Sequence, residues 1–360
     1  MTFKSNFNFS IKRLAVLLPL VFLAACATQE SGNNTATNIT PTARPKPIKQ
    51  PTNPQQAELK AIIAQQDRLY TVAAPLLVNN AELCRNNARN LLGFTAKTKY
   101  SFSTELVTAA AALGLTDQLQ VTGVLAGSGA EQAGVKSGDL LATIQDKAVP
   151  QGENAERQAA LMLGPLVSRN KPIKLGLIRK GQLLNLNVPL TNACAFGIEL
   201  GNTNNVNTYA DGRRVLVTSG MMKFIQSDDE LALVIAREMA HNTLTHPAKQ
   251  RMTATLSGII DNLIRIRPDT DSLAGAAGVR PYSQSFDVAA DKLALYMVAR
   301  AGYGVNNAAT FWQRLSTQYP VSVPNGHTAI HPATAARLMA IQNTITEIDI
   351  KQAAGTTLTP

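Results

Sequence analysis

Hydrophobic positions are unevenly spread along the chain. Leu14 to Ala25 form an apolar run interrupted by Pro19 and preceded by Lys4, Lys12 and Arg13. That run is too short to cross a bilayer as a stable helix and has the layout of a secretory signal, residues 1–25. From Thr28 to about Gln56, Pro, Thr, Asn and Gln replace nearly all large apolar residues. Residues 26–56 therefore read as an unfolded tether, with a typical reach of about 30 Å. A helical segment is predicted within 57–118. Alternating apolar positions begin at Val121, followed by a polar–apolar helix from Glu153 to Leu163 and an antiparallel strand pair around Gly181. Next comes a hairpin-like pair in VNTYADGRRVLVTSG. It leads to a helix opened by Ser227 with Glu230 three residues on, the pattern of a capping box. Leu231, Leu233, Val234, Ile235 and Ala236 leave that helix few polar faces, so it is predicted to be buried. Arg237, Glu238 and His241 on it then need partners. A second helix, in PYSQSFDVAADKLALYMVARAGY, carries Asp287 and Asp291 four apart.

Composition places the chain in a compartment. Cys26 closes the sequence Leu23-Ala24-Ala25-Cys26, which resembles the lipobox of bacterial lipoproteins. The resemblance implies lipidation of Cys26 and attachment to the membrane through the N-terminal lipid. Ala27, where an Asp would favour the inner membrane, implies the outer membrane, with the protein facing the periplasm. In such an oxidising compartment the two other cysteines, Cys84 and Cys194, are expected to form a disulfide; the alternative is two buried thiols. Removal of the signal leaves 31 basic against 24 acidic residues, or +7. No basic run is interleaved with aromatics, so a nucleic-acid partner is excluded.

Some 300 residues follow the tether, enough for two cores. The stretch VTGVLAGSGAEQAGVKSGDLLATIQDKAV, with the helix and strand pair after it, resembles a bacterial PDZ domain over 119–190. That resemblance implies capture of extended peptide ends by strand addition. The triplet Leu92-Gly93-Phe94 is reminiscent of a carboxylate-binding loop. A helical stretch near Ser103 to Leu113 separates it from the main PDZ strand, and we expect it to lie outside the domain.

Residues 237–241 read Arg-Glu-Met-Ala-His, the zinc-protease pattern His-Glu-x-x-His with a cation at the first ligand. The strand pair ending Val-Thr-Ser-Gly, this helix, the acidic second helix, and Ile330-His331-Pro332 with Arg337 follow one order over about 195–345. In that order they resemble the zinc metalloendopeptidases related to the CAAX prenyl proteases, which include periplasmic members in outer-membrane protein quality control. The resemblance implies zinc as cofactor, Glu238 as general base, His241 and Asp287 as metal ligands, and Asp291 as the carboxylate that orients the missing ligand. It also implies that His331 and Arg337 line the cleft near the scissile carbonyl. Asp287 stands where the family has glutamate, one methylene longer.

Arg237 breaks the pattern. A guanidinium has no lone pair to give a metal. Its charge about 4 Å from a divalent ion costs roughly twice the ~4 kcal/mol of a unit pair at an effective dielectric near 20. It is expected instead to pair with Asp287, Asp291 or Glu238, replacing one cation by another. His246 and His327 are the other histidines within reach as substitute ligands. Residues 253–280 are expected to be a cover for the cleft or a plain connector.

The chain is thus expected to be α+β. A mostly helical metalloprotease-like domain with a small β-sheet, residues 191–350 with a tail at 351–360, follows a β-rich PDZ domain. Residues 57–118 are expected to pack on the peptidase-like part. The expected function is a peptide-binding pseudoprotease of the envelope that handles unfolded polypeptides, with the strand pair around Val215 to Thr218 offering an edge to them. The alternative is an active zinc metalloendopeptidase using Glu238, His241 and Asp287.

Overall fold

A computed structural model of the protein describes residues 53–249, 282–319 and 333–360. The signal, Cys26, nearly all of the tether, residues 253–280, His327 and His331 lie outside the described residues. Helix α1 (Pro54–Val78) starts where its sequence says it should. The Asn53 side chain accepts from the Gln55 amide at 3.0 Å, and proline occupies the first turn, where its missing N–H costs nothing. The second half of α1 buries Leu69, Val72, Ala73, Leu76 and Leu77 in the largest core of the chain.

Two short strands follow, β1 (Ala88–Leu91) and β2 (Phe94–Lys97), then helix α2 (Val107–Ala112). Beyond them lie β3 (Gln120–Val124), α3 (Gly129–Gln132), β4 (Leu140–Ile144), β5 (Lys147–Ala148), α4 (Ala155–Val167), β6 (Ile173–Arg179) and β7 (Gln182–Val188). These strands make one antiparallel sheet in the order β2-β3-β4-β6-β7, with β5 paired to β4. Val121, Leu141, Ile144, Leu175, Leu177 and Val188 fill its core together with Ala155 and Ala159 of α4. This is a PDZ fold.

The sheet begins earlier than the sequence suggested. Phe94 pairs with Val124, so Leu92-Gly93-Phe94 leads directly into its terminal strand, and a boundary at 119 falls inside the sheet. The stretch that seemed to break the domain is folded aside. Thr98 and Ser101 cap a 3-10 turn, and α2 packs on α1 through Leu59, Ala109, Ala110 and Leu115. Gly93 is required where it stands: its φ is +87°, and a Cβ there would lie 2.4 Å from the Ser128 Cβ.

Both ends of the PDZ unit meet at a two-stranded ribbon in which β1 pairs with β8 (Thr191–Cys194), Ala88 opposite Cys194. A disulfide joins Cys84 to Cys194 beside it, with the two Cα atoms 5.6 Å apart.

The carboxy-terminal part opens with β9 (Gly197–Gly201), β10 (Thr208–Ala210) and β11 (Arg214–Thr218), in the order β10-β11-β9. Strand β11 runs antiparallel to β10 and parallel to β9. Both edges of Val215–Thr218 are therefore occupied, and the strand cannot itself offer an edge to a peptide; the end of this sheet beside the site is β10. Helices α5 (Ser219–Phe224), α6 (Asp228–Thr243), α7 (Gln284–Arg300), α8 (Ala308–Gln318) and α9 (Ala335–Ala353) complete the fold. Ser227 caps α6 by accepting from the Glu230 amide at 3.2 Å, while the Glu230 carboxylate reaches back to the Gln226 amide at 2.7 Å. Every residue of α6 from Glu230 to Thr243 is buried. Among the described residues no helix is long and apolar enough to cross a membrane. The class is α+β, as its pattern of elements implied.

Candidate functional site

Three helices converge on the motif. Arg237, Glu238 and His241 project from α6, Asp287 and Asp291 from α7, and Arg337 from the first turn of α9; all are at most 2% exposed. The i, i+4 spacing that puts Arg237 beside His241 on α6 also puts Asp287 beside Asp291 on α7.

The Arg237 guanidinium lies at the centre. Its Nη2 donates to Asp287 Oδ1 at 2.6 Å, its Nε to Asp291 Oδ1 at 3.2 Å and its Nη1 to Glu238 Oε1 at 3.2 Å. Arg337 clamps Asp291 from the other side, with Nη2 donating to Oδ1 at 2.9 Å and Nε to Oδ2. Trp312 of α8 lies under both cations, its ring 4.2 Å from the Arg337 guanidinium carbon and 5.2 Å from that of Arg237. Thr208 on β10 donates to Glu238 Oε1 at 3.0 Å. His241 Nε2 is 3.7 Å from Asp287 Oδ1, and its Nδ1 is 3.0 Å from His246 Nδ1. Tyr282 stacks on His241 at 3.9 Å, and Phe286 on His246 at 4.2 Å.

Burial dominates the titration here. It pushes the Glu238 carboxyl up, against the pull of Arg237 and the Thr208 hydrogen bond. It likewise raises Asp287, although Arg237 and Arg337 oppose the shift. For Arg237 burial works the other way, but Asp287, Asp291 and Glu238 outweigh it and hold the guanidinium charged. His246 is pushed down to about 4 by burial, then by Lys249 and Arg237, so it is neutral at physiological pH.

The residues present do not fit a zinc ion as arranged. A catalytic zinc needs three converging lone-pair donors and one open position. Here the space between Glu238, Asp287 and Asp291 is filled by a guanidinium that donates to all three, and Asp287 Oδ1, the oxygen nearest His241, is the one bound at 2.6 Å. Among the described residues no other group of His, Cys, Asp and Glu could hold a metal. The arrangement can hold charge and bind helices together.

The structure therefore brings together Arg237, Glu238, His241, Asp287, Asp291 and Arg337, and His246 stands against His241. Arg337 is buried on Asp291. Sequence reasoning missed Thr208, Tyr282, Phe286 and Trp312. Thr208 sits in the predicted hairpin immediately upstream of the motif helix, which was a usable signal. Trp312, the sole tryptophan, carried none beyond its rarity.

Residues 183–345 match the family model for Peptidase family M48. The beta-barrel assembly-enhancing protease of Yersinia pestis is 27% identical over 165 residues, which cover 41% of this chain and 34% of that protein. The mitochondrial metalloendopeptidase OMA1 of Schizosaccharomyces pombe is 22% identical over 150 residues, covering 39% of this chain and 44% of that one. The chain spans less than half the length of the curated relatives it matches. Among solved structures, an HtrA-type protease AlgW with decapeptide overlaps 29% of this chain and 30% of its own at 26% identity and a TM-score of 0.21. That overlap is too loose to add to the strand order.

Proposed function

We propose that this chain is a peptide-binding pseudoprotease of the M48 type. It holds envelope polypeptides without cleaving them, from a lipid anchor at Cys26 on the periplasmic side of the outer membrane. The observation that carries the loss of catalysis is the buried Arg237, neutralised by Asp287, Asp291 and Glu238 where a ligand and a metal would stand. Guanidinium groups stay protonated and cannot ligate. Glu238 then serves as an acceptor for Arg237 and Thr208.

Two strand edges support binding. Strand β2 ends the strand order of the PDZ sheet, leaving one side of Phe94–Lys97 for strand addition, with Leu92-Gly93 at its entrance. Leu163 and Leu166 of α4 pack on the same core as Leu92 and Phe94. Strand β10, beside Glu238, ends the smaller sheet. The relatives named for beta-barrel assembly favour an envelope role, and the lipobox-like Leu23-Ala24-Ala25-Cys26 favours the anchor.

The test is one assay on two proteins: zinc stoichiometry and casein cleavage for the natural chain and for Arg237→His, with crosslinking of extended peptides to β2 and β10 in both. The natural chain is expected to crosslink peptides, hold no stoichiometric zinc and leave casein intact. Stoichiometric zinc with cleavage by the natural chain would establish the active endopeptidase using Glu238, His241 and Asp287 instead.

A further inference from the structure

A second site lies away from Arg237, in a cleft of about 340 Å3 between α1 and the β2–β3 pair. That volume falls within the ~300–1,000 Å3 of small-molecule pockets. A smaller cleft of about 140 Å3 shares Asp67, Tyr70 and Thr122 with it. One part of the lining is apolar: Ile63, Phe102, Leu113 and Leu115. The other carries two opposite charges, Asp67 on α1 and Lys97 on β2.

These charges are only half satisfied. Lys97 Nζ donates to the neutral Gln66 Oε1 at 2.9 Å and lies 4.9 Å from the centre of the Phe102 ring. Neither Lys97 nor Asp67 forms an ion pair with any described residue within 4.0 Å. Burial pushes the Asp67 carboxyl up, opposed by Lys97, and the Lys97 amine down, opposed by Glu156 and then by Asp67. Asp67 is exposed and Lys97 half-buried, and neither has a described counter-ion in contact. A ligand of one sign would satisfy one group and bury the other more deeply. A ligand with both signs satisfies the pair and leaves the net charge of the cleft unchanged.

We propose that the cleft between α1 and the β2–β3 pair binds a small zwitterion with an apolar body, a hydrophobic amino acid or dipeptide. Its ammonium pairs with Asp67 and its carboxylate with Lys97, while its side chain lies against Phe102, Leu113 and Leu115. Charge-assisted bonds of this kind are roughly twice as strong as neutral ones. Tyr70 lines both clefts. This inference does not rest on Arg237, but Lys97 lies on β2, so the two readings meet there; ligand binding that persists where β2 crosslinks no peptide, or the reverse, separates them.

The experiment is calorimetric titration of the full chain with L-leucine and with leucyl-leucine, each also as its N-acetyl and its C-terminal amide derivative. Saturable binding is expected for at least one parent compound, weakened tenfold or more when either end is blocked. The parent that binds tells a free amino acid from a peptide product. Asp67→Asn is expected to abolish the penalty of N-acetylation, and Lys97→Gln that of amidation. Absence of saturable binding by both parents, or binding indifferent to both blocking groups, overturns the proposal. The blocked ligands act on the natural chain, so the outcome does not depend on the variants folding.

Discussion

Arg237 serves as an internal counter-ion. Three carboxylates from two helices share it, and Arg337 shares Asp291 with it. Removing one partner of such a buried network leaves the others charged without water. Truncation of one member of a buried pair typically costs about 3–5 kcal/mol. Arg237→Met, similar in length and uncharged, is therefore expected to lower the unfolding free energy by about 3–5 kcal/mol, measured by urea denaturation at neutral pH. Arg237→Lys keeps the charge but not the planar fork, and should fall between the two. If Arg237→Met is as stable as the natural chain, the guanidinium is not what holds Glu238, Asp287 and Asp291 in place. The motif carrying Arg237 was plain in the sequence because its members are four residues apart. Its partners were less so, since Asp287, Asp291 and Trp312 lie 50 or more positions downstream and no local period links them. The spacing of Asp287 and Asp291 nevertheless showed that they share a helix face.

At the scale of elements, two of the helices around the site are tied together a second time, away from Arg237. Glu347 on α9 pairs with Lys351 one turn on at 3.0 Å and with Lys292 of α7 at 3.0 Å. Hydrogen bonds from Tyr296, Lys351 and Lys292 pull the Glu347 carboxyl down from 4.5 to about 2. A carboxyl depressed on folding stabilises the protein above its unfolded value and loses that contribution as pH falls through the folded one. The α7–α9 tie should therefore be intact above pH 4.5 and vanish towards pH 2. In Glu347→Gln, Tm is expected to be lower at pH 6 and to fall less between pH 4.5 and 2, so that the two curves converge at the acid end. Parallel curves across that window would mean that Glu347 is no tighter a base in the fold than in the free chain. Elements whose signal is local were the legible ones. The start of α6 was readable from Ser227 and Glu230, although the Glu230 side chain closes on Gln226. Strand β2 was hard to place because its partner β3 begins more than twenty residues later, beyond a helical insertion. The central place of β11 was hidden because its parallel partner β9 comes before the hairpin and gives no turn signal.

Across the whole molecule, the PDZ fold is inserted between two segments that belong to the peptidase-like core. Cys84 and Cys194 both lie in that core at 0% exposure, and their disulfide closes a separation of 110 residues around the PDZ sheet. Besides the bond, the four-residue ribbon of β1 and β8 and the Ala195 amide, which donates to the Asn87 carbonyl at 2.9 Å, join the two segments. A loop of that length stabilises the fold by on the order of 4–5 kcal/mol in the chain-entropy model. Cys84→Ala with Cys194→Ala is expected to lower the unfolding free energy by about that amount, less whatever structure the unfolded chain keeps. Amides of β1 and β8 should exchange with solvent faster than those of β6 and β7, which keep their own long ladder. Uniform loss of protection over the PDZ sheet and the ribbon would mean that the two parts unfold as one unit, with the disulfide merely adding to a shared stability. Chelator distinguishes the other support of this architecture. The cation between α6 and α7 is covalently part of the chain, so EDTA should leave Tm unchanged in the natural protein and in the cysteine variant alike. A fall of several degrees on chelation would show that the helices are held by a metal after all.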